Sequence, residues 1–160
     1  MPTAAAQIQR MLSGQHATVV GVGHRMRGDD AVGSLLAAGL EAEFGGAVID
    51  AGEVPENFLG LLTGPGRRAV LFLDAADHGA APGEWCLAPT HRLAARAGST
   101  HSASLRLLAQ LLEAHGVQSW VLGIQPLSNA PGAPLSGPVR AAARELHLVL
   151  AGALRAGSAA

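Results

Sequence analysis

Acidic residues and one histidine stand where this chain can gather them at a single edge. Asp29 and Asp30 follow the glycine-bearing stretch Gly21-Val-Gly23 to Gly28. Asp74 closes an apolar run, Asp77 follows three residues later, and His101 precedes a helically periodic stretch. Two carboxylate oxygens and one imidazole nitrogen, with coordination positions left open, suit Zn²⁺, Ni²⁺ or a similar divalent ion. Each residue also has a plainer explanation. Asp29 and Asp30 can cap a helix and favour its dipole. Asp74 at the end of an apolar strand needs a partner or water, and His101 in Ser99-Thr-His-Ser102 suits a helix start. His78 and His91 read as loop histidines and Asp77 as a turn residue.

Three other constellations are weaker. Gly21-Val-Gly23 with Asp50 resembles a dinucleotide fingerprint, but Met26 stands where the third glycine belongs. Paired aspartates at a helix start would also repel a pyrophosphate. Cys86 with His101 would make a thiol nucleophile, yet Cys86 lies mid-strand between Trp85 and Leu87, where a small buried thiol is the commoner finding. Ser99 or Ser102 lacks the Gly-x-Ser-x-Gly elbow of a serine triad.

Composition narrows the chemistry further. The 160 residues suit a single domain, with a core over 17–155 and tails at 1–16 and 156–160. All 11 basic residues are arginine, which excludes Schiff-base and P-loop lysines. Against 12 acidic residues they give a net charge of -1, too balanced for a general nucleic-acid binder. A lone cysteine forms no internal disulfide and suits a reducing cytoplasm. No apolar run approaches the ~18–20 residues of a membrane span, and Met1–His16 lacks the apolar stretch of a signal peptide.

The elements that must position these residues alternate. Short β-branched or apolar runs at 17–22, 47–50, 69–73 and 118–123 predict strands, and 84–88 predicts a returning antiparallel one. Helical spacing predicts helices from Asp29 or Asp30 to Phe44, near 56–62, over 102–115 and over 139–155. The expected class is α/β: a three-layer sandwich with a mostly parallel sheet of about five strands flanked by helices. Right-handed crossovers then put every strand-to-helix loop on the carboxyl edge, where ligands bind. The Pro- and Gly-rich stretch 126–138 is long for a connection, which marks it as functional.

From Val19 to Leu150 the motifs together resemble the hydrogenase maturation proteases, which trim the large subunit of nickel–iron hydrogenases. They are Gly21-Val-Gly23 with Gly28-Asp-Asp-Ala-Val-Gly33, Asp50-Ala-Gly-Glu-Val-Pro-Glu-Asn57, Leu73-Asp-Ala-Ala-Asp77, Pro82-Gly-Glu84, Ser99-Thr-His101, Gly123-Ile-Gln-Pro126 and Leu135-Ser136. The resemblance implies a cytoplasmic aspartyl endopeptidase that removes a C-terminal extension from a nickel-loaded large-subunit precursor. It carries the metal-contacting triad over to Asp30, Asp74 and His101, with Asp30 and Asp74 also catalytic. Nickel is then supplied by the substrate, and Zn²⁺ or Cd²⁺ substitutes in the isolated protein. The implied partner is that precursor, with no nucleic acid and no membrane. A non-catalytic nickel-sensing or nickel-chaperone module is the alternative on the same scaffold. One departure stands out: the family commonly has Asn directly after Gly-x-Gly, and here the residue is His24.

Overall fold

The computed structural model describes residues 1–14, 16–92 and 101–159. Strands β1 (Ala17–Gly21), β2 (Val48–Asp50), β3 (Ala69–Ala75), β4 (Trp85–Pro89) and β5 (Gln118–Ile124) form one sheet in the order β2-β1-β3-β5-β4. All neighbours pair in parallel except β4, which runs antiparallel to β5 with Cys86 opposite Gly123. The helices are α1 (Ala4–Leu12), α2 (Val32–Phe44), α3 (Leu59–Leu62), α4 (Ser102–Ala114) and α5 (Gly137–Ser158).

Strand periodicity divides the core in two, because alternate side chains point to opposite faces. Val19, Leu71, Leu73, Leu122 and Ile124 pack against α1, α2 and α5 on one face. Val20, Val22, Val70, Phe72 and Val121 pack against Leu62 of α3 and Leu105, Leu108 and Leu112 of α4 on the other. The central strands are apolar on both sides because both sides are covered. The edge strand β4 alternates in the same way, with Trp85 and Leu87 toward the first layer and Cys86 and Ala88 toward the second. The three-layer α/β expectation therefore holds, down to the single antiparallel strand.

Two differences from the sequence reading have physical causes. Met1–His16 is not a plain tail. Thr3 caps α1 by accepting a hydrogen bond from Ala6 N at 3.1 Å, and Ile8 and Leu12 are buried against the first layer. α5 continues to Ser158 and meets this helix closely, for a Cβ on Gly157 would strike the Leu12 carbonyl oxygen. The second difference is at β3, which runs two residues beyond Leu73. Asp74 is thus the next-to-last residue of the strand, at the strand end where the apolar run closes. Among the described residues, no helix is long and apolar enough to cross a membrane.

Candidate active site

Three elements converge at the carboxyl edge. Asp30 sits in the 3₁₀ turn Gly28–Ala31 that follows β1, Asp74 lies near the end of β3, and His101 immediately precedes α4. One ligand atom from each of these residues lies within 4.8 Å of the other two. All three are buried, at 3%, 1% and 7% exposure. Ligand atoms about 2.0–2.2 Å from one ion lie closer together than this spread, so the three would move inward to share one. The residues that the topology assigns to one edge are thus brought together, and two oxygens with one nitrogen could hold a divalent cation.

Local geometry explains the convergence. Asp74 shares a sheet face with Val70 and Phe72, the face that α4 covers, and His101 immediately precedes that helix. Its register partner on β5 is Gly123, so no neighbouring side chain crowds the carboxylate from that strand. Asp30 is drawn over the sheet by close backbone contacts. A Cβ on Gly23 would strike the Asp30 carbonyl oxygen, and one on Gly33 would strike the carbonyl oxygens of Leu73 and Val22. Those two glycines let the turn and the start of α2 rest directly on the strand ends.

The electrostatics are shared within the cluster. Asp30 Oδ2 accepts the His24 backbone N–H at 3.1 Å and lies 3.5 Å from His101 Nε2. That contact with Asp30 raises the His101 pKa above its ordinary value. Burial opposes the rise, and the charges of Asp74, Asp30 and Glu53 reinforce it. At the rim, His24 Nε2 stands 3.8 Å from Glu53 Oε2.

Asp29 does something else. No side chain caps either the 3₁₀ turn or α2, so the helix-capping expectation fails. The fully buried Asp29 carboxylate instead accepts Ser136 N–H (2.7 Å), Ser136 Oγ–H (2.8 Å), Leu127 N–H (2.9 Å) and Ser128 N–H (3.1 Å). Burial pushes its pKa up, but the bonds from Ser136, Leu127 and Ser128 outweigh that and hold it below the usual value. The stretch 126–138 is consequently pinned at both ends. Asp29 N–H donates to Ser128 O (2.9 Å) and Gly132 N–H to Met26 O (2.7 Å). Gly28, at φ 56°, allows this approach, for a Cβ there would lie 2.6 Å from Ser128 O. Sequence reasoning missed this contact; its only trace was a second aspartate beside Asp30 and a serine ahead of the last helix.

The dinucleotide and thiol constellations lose their support. Asp50 is bound by Arg25 Nη2 (2.6 Å) and Ser34 Oγ (2.7 Å), so the carboxylate that would hold a ribose already has partners within the chain. Burial raises the Cys86 thiol above its ordinary pKa, against the pull of a Gly123 backbone hydrogen bond, so it is no activated nucleophile. Asp77 accepts from Gln125 Nε2 (3.1 Å) and Gly79 N (3.2 Å), as a turn residue does. Ser99 and Thr100 lie outside the described residues.

Comparison with known proteins bears on the family and the fold. Residues 31–151 match the family model HycI, hydrogenase maturation protease. The chain is 32% identical over 134 residues to the Hydrogenase 3 maturation protease of Escherichia coli strain K12, covering 82% of this chain and 86% of that protein. It is also similar to the crystal structure of a [NiFe] hydrogenase maturation protease HycI from Thermococcus kodakarensis KOD1. That similarity has a TM-score of 0.81 and 28% identity over 93% of this chain and 99% of that one. The solution structure of the endopeptidase HycI from Escherichia coli gives a TM-score of 0.72 and 29% identity, covering 85% and 89% of the two chains. The chain belongs to the hydrogenase maturation protease family and is, on that membership, a peptide hydrolase.

Proposed function

From that membership we propose that the protein is a cytoplasmic endopeptidase acting on the large-subunit precursor of a nickel–iron hydrogenase. It removes the C-terminal extension once the precursor carries nickel. Asp30, Asp74 and His101 are the residues that meet that nickel, which arrives as part of the substrate. The observation that carries this reading is the close approach of three buried ligand atoms from three separate elements. An oxygen-rich set without thiolate suits a transient contact better than permanent storage of a transition metal.

Hydrolysis adds water across one peptide bond. The water oxygen bonds to the carbonyl carbon, the C–N bond breaks, and the departing amine gains a proton. Asp30 or Asp74 acts as general base toward that water. His101, tied to Asp30, fixes how the carboxylate is presented.

The test is incubation with a nickel-loaded precursor, following release of the C-terminal extension. Wild type should release it, whereas Asp30→Asn and Asp74→Asn should not, with folding stability within about 2 kcal/mol of wild type. Calorimetry should show weak uptake of Cd²⁺ or Zn²⁺ by wild type and its loss in His101→Ala. Nickel binding without release of the extension would favour a metal-sensing module instead.

A further inference from the structure

We infer that His24 and Glu53 form a docking point for the substrate's polypeptide backbone at the mouth of the cluster. His24 Nε2–H donates to a backbone carbonyl, and the Glu53 carboxylate accepts the N–H of the same extended residue. The inference rests on the endopeptidase reading and adds a peptide-binding subsite to it.

The tautomer of His24 comes first. Its Nδ1 accepts the Met26 backbone N–H at 3.1 Å, so the neutral ring carries its proton on Nε2. Neither ring nitrogen then offers a lone pair outward. His24 is therefore a donor and not a fourth metal ligand, although its own backbone N–H holds Asp30.

What Nε2 faces comes second. Glu53 Oε2 stands 3.8 Å away, beyond hydrogen-bond length, and the two side chains are 33% and 57% exposed. A donor and an acceptor thus stand side by side without satisfying each other. One residue of an extended chain presents its N–H and C=O together on one side, the complement of this pair. The pair also borders the cluster, since the His24 backbone N–H donates to Asp30 Oδ2 at 3.1 Å.

The resemblance noted in the sequence supplies a control. Asn in place of His24 can accept the Met26 N–H through Oδ1, as in an Asx turn, and still donate outward through Nδ2. Leucine can do neither.

Processing kinetics on the nickel-loaded precursor are measured for wild type, His24→Leu, His24→Asn and Glu53→Leu, with Cd²⁺ calorimetry on each. His24→Leu and Glu53→Leu should raise KM about five- to tenfold with kcat unchanged. His24→Asn should stay within about twofold of wild type, and Cd²⁺ uptake should be equal in all four proteins. An unchanged KM in His24→Leu, a loss confined to kcat, or equal damage from Leu and Asn overturns the docking point. Lost Cd²⁺ uptake in His24→Leu also overturns it, by showing that the effect runs through Asp30. If wild type binds the precursor without cutting it, the endopeptidase reading falls. The dissociation constants of the same four proteins then decide the docking point by the same factors. Failure of wild type to bind the precursor overturns both.

Discussion

At the scale of single residues, two adjacent aspartates face opposite ways and serve different ends. Asp30 turns to the cluster, while Asp29 turns to Leu127, Ser128 and Ser136. The Asp29 carboxylate is held below the ordinary pKa of about 3.9. Its stabilising contribution is therefore complete above that ordinary value and disappears as pH falls through the lowered one. Asp29→Asn leaves an NH₂ group facing N–H donors and should cost about 2–3 kcal/mol at neutral pH. Urea titrations of both proteins along a descending pH series check this. The gap between them should narrow below the ordinary carboxylate value, and a constant gap would contradict the assignment. Asp29→Asn should thus be more damaging to stability than Asp30→Asn, the reverse of what a mere helix cap at Asp29 would give.

At the scale of elements, α1 belongs to the folded body. Leu12→Ala and Ile8→Ala each remove a buried side chain from its contacts with the first layer and should lower stability by about 2–4 kcal/mol. The urea midpoint measures this, and an effect below about 0.5 kcal/mol would return the segment to a tail. The helix was legible in principle: Thr3 stands at the cap position, alanines favour helix, and Ile8, Met11 and Leu12 fall at helical spacing. Its apolar stripe is narrow, however, and only packing on α5 completes it. The central strands were readable because burial on both faces makes them continuous apolar runs, as in Ala69–Leu73. Asp74 and His101 were readable because parallel strands with right-handed crossovers send their loops to one edge. The partners of Asp29 were not, because they lie 98 to 107 residues along the chain and leave no local pattern.

At the scale of the whole molecule, the carboxyl edge must receive a protein, and its loops expose apolar side chains. Met26 is 66% exposed, Val54 44% and Leu127 60%, each on a loop leaving a different parallel strand. On the proposed function, recognition combines this broad surface with nickel carried by the substrate. A precursor without nickel should resist cleavage although its cut site is intact, and a free peptide spanning that site should not be cut. Mass spectrometry of the released extension checks both, and efficient cutting of either would make sequence the recognition signal. The bonds at Asp29 also fix the order in which this edge can come into being. During synthesis, β1 and its turn leave the ribosome about a hundred residues before Leu127 and Ser136, so the buried carboxylate first meets its donors when most of the chain has been made. The contact order of the edge is high, and such contacts form late. A nascent chain can therefore pair β1 with β2 and β3 early, while the protease itself becomes competent only near the end of its own translation.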